Sequence, residues 1–543
     1  MKQNSSLPQG GPPFQQSTQQ PAQGLALASF FCGIGSILCG AMPAGICGIV
    51  FGVIAKKRKN TSLFPLTGII CGIIGIVLSI VLTIVSIIVI TKSGLYDQLQ
   101  SKISGYEYYE LESGNYGIYS ATAPLSGHVK VPSTYRGKPV TVINKYAFSN
   151  QDRITEITIP EGVTVIGAGA FSDCTSLRKV NLPSTLKWIQ KGTFSGCTSL
   201  ESIALPEGLT VLATNAFKGC TSLKSITVPP NVVSNETNNP WTGEWCSIFE
   251  GCTSLSEVTL LNSAPVVKWM FKDCTALTKV TMASGIEIIE TEAFLGCTAL
   301  REIKLSNGLK TIEAEAFKQC TSLSEITFPT SLEDIGGYAF QGCAFQTLTL
   351  PGSVANIREG AFSDCASLTT ITLPDQMVYV GERAFANCTS LTHATMPAAI
   401  ATARDDVFEG CERLTYLKGH ASFINHLEKR DHLTTLEITG IDEKYSYSAQ
   451  VNLHAMPALT ELAIRVAARV HFDDDCRVPS LTTMYVAQGA KFEVDCSFPK
   501  LTEIHYTGTK EQWRSSGFST ANCGHKEDLT TYCSDGYILS KAS

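Results

Sequence analysis

The chain has 543 residues with 42 basic and 48 acidic side chains, a length that admits several compact domains or one elongated repeat array. Every acidic residue lies from Asp97 onward, and the stretch from Lys92 to the end carries 37 basic against 48 acidic residues, a balance of -11. Such a segment repels phosphate backbones, which excludes nucleic-acid binding through a basic footprint.

Residues 1–24 are rich in Gln, Pro, Gly and Ser and read as a disordered tail. Residues 25–92 read as two transmembrane α-helices. Leu25 to Ala55 is apolar and glycine-rich, Lys56, Lys57, Arg58 and Lys59 follow, and a second apolar run goes from Leu63 to Ile90. Each run exceeds the roughly 20 residues needed to cross a bilayer core. A buried soluble hairpin is the alternative. A cleaved signal peptide fits less well, because the first run is long and starts far from the N-terminus. Four positive charges between the helices favour a cytoplasmic loop, which predicts a two-pass protein of the cell membrane with both termini outside. Gly48 and Gly52, and Gly68 and Gly72, form small faces for close helix contact. The pattern resembles a small membrane domain of unknown function found at the N-termini of many Gram-positive bacterial proteins.

Residues 93–128 read as a juxtamembrane linker and the start of a cap, and 129–415 as a regular repeat. The unit is Ala170-Phe171-Ser172-Asp173-Cys174-Thr175-Ser176-Leu177, then Val180, Leu182, Pro183, Leu186 and Ile189. It recurs every 23 residues, with two deletions and one insertion, through Cys197, Cys220, Cys252, Cys274, Cys297, Cys320, Cys343, Cys365, Cys388 and Cys411. Leu-x-x-Ile-x-Leu-Pro places alternate apolar residues on one face of a short strand that proline ends. The second half returns the chain along the opposite side with its own inward residues. One unit cannot bury its apolar face alone, but stacked neighbours share a continuous core. Phe and Cys then become interior ladders.

Residues 416–510 continue as irregular repeats. Leu433-Thr434-Thr435-Leu436, Leu459-Thr460-Glu461-Leu462, Leu481-Thr482-Thr483-Met484 and Leu501-Thr502-Glu503-Ile504 keep the strand half without the Phe-Cys half. Residues 511–543 suit a C-terminal cap. The expected fold is a mostly β solenoid of short strands with turns and 3-10 segments, preceded by the two membrane helices. About 16 rungs at about 4.8 Å each give a ladder of roughly 75 Å. The motif is similar to the BspA-like leucine-rich repeat, common on the surfaces of bacteria that live with animal hosts. That resemblance implies a leucine-rich-repeat solenoid, and adhesion to host matrix proteins or to other bacteria. A solenoid is a scaffold and does not name its ligand.

Of the 20 cysteines, eleven belong to the ladder. Equivalent Cβ atoms about 4.8 Å apart exceed the usual disulfide separation of about 3.5–4.5 Å, so buried free thiols are expected. Cys523 and Cys533 could close the terminal cap by a disulfide. His525 lies between them, but no paired Cys-x-x-Cys or His-x-x-x-His spacing supports a metal. Cys246 lies in an insertion of nine residues between Cys220 and Cys252, together with Trp241 and Trp245. These tryptophans are candidate ligand anchors; packing back over the bulge is the alternative.

A second candidate is an outward column on the strands containing Thr158, Thr227, Thr259, Thr281, Thr327, Thr349, Thr372 and Thr395. Threonine's β-propensity explains such a column without a ligand; a flat hydroxyl face for an extended ligand is the functional alternative. Aromatics are almost absent there, which argues against carbohydrate stacking. The neighbouring column, with Lys179, Glu257, Lys279, Glu302, Glu325 and His393, is either a solvated face or a salt-sensitive protein contact. Seven of the nine histidines lie beyond the regular array, and Asp473, Asp474 and Asp475 sit near His471. No phosphate-cradling loop, nucleophile elbow or zinc-protease motif accompanies them. The expectation is a membrane-anchored surface protein that binds a protein ligand, without enzymatic activity, cofactor or metal. A structural or sensory scaffold binding a partner of the same cell is the alternative.

Overall fold

The computed structural model describes residues 64–92 and 105–539, the latter without 233–245, 399–401, 404–405, 422, 424–430, 442–449, 454–455, 473–476, 495–496, 520–522 and 524–528. Two compact units divide the chain, Met1–Ser104 and Gly105–Ser543.

In the first unit Phe64–Lys92 forms one α-helix of 29 residues. Apart from Ser79 and Thr83, its described side chains between Ile73 and Ile88 are apolar, and most are exposed. Ser79 is buried and its carbonyl accepts from the Thr83 hydroxyl, 2.7 Å away, so that hydroxyl is satisfied within the helix. The side chains described, residues 73–88 apart from Ser86, form no helical stretch long and apolar enough to cross a membrane. The expected first run, Leu25 to Ala55, and the basic loop lie outside the described residues, as does the linker at 93–104.

The second unit is a mostly β solenoid of about 16 turns. Most turns contribute a strand to a first parallel ladder, such as Glu257–Leu260 beside Lys279–Met282, while the turn through Ile326 forms none. Alternation does the sorting there: Val258 and Leu260 point inward and are buried, while Glu257 and Thr259 face out. A second ladder of two-residue strands, such as Ile288–Ile289 beside Thr311–Ile312, runs along the return half of each turn. The first ladder divides into three blocks, with breaks at Ser202–Ile203/Ser225–Val228 and at Glu302–Lys304/Thr347–Thr349.

Between the ladders stands the Phe-Cys corner. Twelve phenylalanines from Phe148 to Phe408 stack rung on rung with nearly parallel rings, as in Phe294 and Phe317, whose centroids are 5.1 Å apart. Even the insertion leaves the stack unbroken, because Phe217 and Phe249 still meet at 5.4 Å. The corner backbone is itself a ladder: the Phe171 amide donates to the Thr193 carbonyl of the next rung. Making so tight a corner takes two left-handed residues in nearly every rung, such as Gly169 and Asp173. At the first position Tyr146 and Tyr338 each lay their rings over the glycine of the following rung. A Cβ on Gly169 or Gly360 would collide with those rings.

Both ends are capped. At the N-terminal end Tyr106–Glu110 pairs antiparallel with Tyr116–Ala121, which joins the second ladder through Lys138–Ile143. The compact unit therefore starts at Gly105, inside the segment assigned to linker and cap. At the other end Lys510–Arg514 forms a short helix with a Thr509–Gln512 capping box, and Trp513 is buried against Phe492 and Phe518. An antiparallel hairpin, Thr530–Cys533 with Gly536–Leu539, closes the sheet. Cys533 is a free, half-buried thiol, so the disulfide considered with Cys523 is not made in this structure. Cys523 is instead buried where it bridges to Phe498.

Candidate ligand-binding face

Part of the threonine column is in register, but Thr327, expected on a strand, lies on a turn that forms none, so the column is interrupted there. Thr227 faces Thr259, Thr259 faces Thr281, and Thr349 faces Thr372 in register across parallel strands. Thr227, Thr327, Thr349 and Thr372 are exposed, and Thr259 and Thr281 are half-buried. The neighbouring charged column is partly occupied by contacts between rungs. Lys179 pairs with Glu156 at 3.3 Å and Lys279 with Glu257 at 3.6 Å. Exposed pairs of this kind add about 0–1 kcal/mol each and soak up charge that a ligand would otherwise meet. Trp241 and Trp245 lie outside the described residues. The insertion's flanks are anchored, since Val232 and Ile248 are buried and the Asn262 side-chain amide donates to the Val232 carbonyl.

The threonine column does not end at Thr395. Register carries it on through Lys418, Glu437, Ala463, Tyr485, His505 and Tyr532. Over these rungs its chemistry changes. The rings of Tyr485 and His505 stack at 4.9 Å, and those of His505 and Tyr532 at 4.8 Å. Ala463 is too small to fill its place in the column and is itself buried. The Arg465 guanidinium lies over the Tyr485 ring, 5.2 Å from its centroid, and its Nε donates to Glu437 at 3.2 Å.

Glu437 is the hub of the adjoining rungs. Besides Arg465 it receives the Tyr416 hydroxyl at 3.1 Å and the Lys418 ammonium at 3.5 Å. Burial, and then the carboxylates of Glu437 and Glu461, hold the Tyr416 phenol above its ordinary pKa, so it stays a donor. Tyr416 also stacks on His393, with centroids 5.5 Å apart. Glu503 contacts the His505 imidazole at 3.2 Å, and Tyr532 faces Tyr537 across the terminal hairpin. The outward face from His393 to Tyr537 thus joins aromatic rings, carboxylates and two bound cations. Tyrosine and arginine are among the side chains enriched where proteins bind proteins.

Tyr485 and His505 could have been found from sequence by continuing the column. In Leu481-x-x-Met484-Tyr485 and Leu501-x-x-Ile504-His505, the residue after the second apolar position occupies it. The absence of aromatics noted for the regular rungs does not extend to the irregular ones. Among the described residues no group of three or more His, Cys, Asp or Glu side chains could hold a metal ion.

By its architecture the molecule is a leucine-rich-repeat β-solenoid, a class whose members are typically binding scaffolds rather than enzymes. The chain belongs to the BspA type leucine rich repeat family, whose model matches in six copies over residues 139–239, 246–343 and 310–428. Among solved structures, a leucine-rich repeat protein from Bacteroides ovatus is 23% identical over 72% of this chain and 98% of that one, with a TM-score of 0.45. A leucine rich cell surface protein from Faecalibacterium prausnitzii is 26% identical over 58% of this chain and 93% of that one, with a TM-score of 0.39. The T. pallidum leucine rich repeat protein is 23% identical over 41% and 89%, with a TM-score of 0.32. No curated protein matches the chain.

Proposed function

We propose that this is a membrane-anchored cell-surface protein whose solenoid binds a protein partner and attaches the cell to host or neighbouring-cell surfaces. The observation that carries the reading is the aromatic and charged face of the C-terminal rungs, centred on Tyr485, His505 and Tyr532. Membrane anchoring is supported by the helix Phe64–Lys92, whose described side chains are apolar but for Ser79 and Thr83, the latter satisfied within the helix. The basic cluster from Lys56 to Lys59 favours a cytoplasmic loop and an external solenoid.

Protease shaving of intact cells, followed by mass spectrometry, tests the placement. Release of peptides from residues 140–520 is expected; cleavage only after lysis would put the solenoid inside. Binding of the full chain to immobilised matrix proteins and to neighbouring bacteria tests the partner. Tyr485→Ala with Tyr532→Ala should abolish that binding. If cross-linking in pure culture captures a stoichiometric endogenous protein instead, the partner belongs to the same cell.

A further inference from the structure

The outward face of the C-terminal rungs is selective about what it can receive. Two of its rings, Tyr485 and His505, are not free to stack on a ligand. Tyr485 and Tyr532 cover the two faces of His505, and Arg465 covers the other side of Tyr485. Nor is it an anion site, because both of its cations, Lys418 and Arg465, are already held by Glu437. Two carboxylates remain. Among the described residues Glu461 has no ion pair and Glu503 pairs only with the imidazole of His505, its side chain 47% exposed. They stand in one column, with Thr483 between them, one rung away from each. Beside them Tyr532 and Tyr537, opposite each other in the terminal hairpin, are 42% and 59% exposed.

We propose that this face binds a cationic segment of a protein partner, rich in arginine or lysine, with Glu461 and Glu503 as its counter-charges and Tyr532 and Tyr537 as its aromatic contact. The inference rests on the reading of the C-terminal face as the binding surface and names the chemistry of its partner. Charge complementarity supports it at two scales. Locally, the cations that could neutralise the two carboxylates are taken up by Glu437. Globally, the chain from Lys92 onward carries a balance of -11, which draws a basic partner in before contact. A guanidinium can meet a carboxylate through paired hydrogen bonds and lie on an exposed tyrosine ring at once.

The test is fluorescence anisotropy of a labelled nona-arginine peptide with the full chain in detergent micelles, at low and at physiological salt. Glu461→Gln combined with Glu503→Gln should weaken binding about tenfold and reduce its salt dependence. Glu302→Gln combined with Glu325→Gln removes the same charge from the regular rungs and should leave the affinity within about twofold. Equal losses in both double variants would show a response to net charge alone and overturn the proposal. No binding by the wild type, or no effect of the first pair, would overturn it as well. If Tyr485→Ala with Tyr532→Ala abolishes attachment to the cell-surface partner while nona-arginine is ignored, the face binds and only the cationic assignment falls. If those tyrosine variants leave attachment intact, the binding face itself is misplaced.

Discussion

The Cys297 thiol donates to the main-chain carbonyl of Phe271 in the preceding rung, 3.1 Å away. The same bond recurs at all eleven ladder cysteines, from Cys174 to Phe148 through Cys411 to Phe385. Cysteine suits the position because it is small, apolar and still a weak donor to a carbonyl that the corner leaves half satisfied.

Alkaline stability follows from those thiols. Burial pushes Cys174, Cys252 and Cys365 up to about 12 from an ordinary 9.0. Above pH 9 the unfolded chain releases these protons while the folded chain keeps them. The contribution is therefore whole below pH 9 and is lost as pH rises toward 12. Each thiol adds a slope of about 1.4 kcal/mol per pH unit in that window. Replacing Cys174, Cys252 and Cys365 by Ala should flatten the dependence by about 4 kcal/mol per unit. Urea unfolding between pH 9.5 and 11 measures it, and an unchanged slope would refute the account.

The phenylalanine stack sets where the solenoid is strongest. Phe294 is fully buried between Phe271 and Phe317, whereas Phe408 ends the stack and is 8% exposed. Phe294→Ala should cost about 3–5 kcal/mol, because rigid neighbours on both sides prevent collapse of the cavity. Phe408→Ala should cost less, since the end of the stack can relax. Hydrogen exchange of the flanking rungs would show the difference, and equal losses would mean that the stack does not transmit packing.

Gln319 holds a left-handed conformation, φ 61°, where most other rungs use Gly, Asp or Asn before the cysteine. Its side chain is exposed, while its backbone amide donates to the Gln341 carbonyl. Gln319→Gly removes the steric penalty of that conformation and keeps the amide bond. Stability should rise by about 0.5–1 kcal/mol. A fall in the unfolding midpoint would show that the unfolded chain's entropy outweighs the strain.

The sequence made the solenoid legible because every rung repeats the same inward residues. Phe171, Phe194 and Phe217 at equal spacing imply a shared interior, and the strand alternation places Val258 and Thr259 on opposite faces. The partners of the thiols were not legible. A bond between Cys297 and Phe271 spans 26 residues and depends on how two corners stack, which spacing alone does not specify. The C-terminal face was hidden for another reason. Irregular rungs vary in length, so Tyr485, His505 and Tyr532 do not fall at a fixed period; the Leu-x-x-apolar pattern reaches Tyr485 and His505, and strand register alone brings in Tyr532.

That alignment separates binding from folding in a way that a variant can expose. Tyr485 and His505 project from the outward side of strands whose inward residues, Met484 and Ile504, are fully buried. Truncating a ring there opens no interior cavity. What is lost is the stacking of one ring on the next and the seat of the Arg465 guanidinium. Tyr485→Ala should therefore lower stability by only about 0.5–1.5 kcal/mol, the range of an aromatic pair. His505→Ala should cost a similar amount, and the two together less than the sum, because they remove one shared contact. Attachment to the cell-surface partner should fall far more steeply than stability in both variants. Chemical denaturation alongside a cell-attachment assay decides it. A loss of attachment no larger than the loss of folded protein would reduce the stack to a device that only steadies the last rungs.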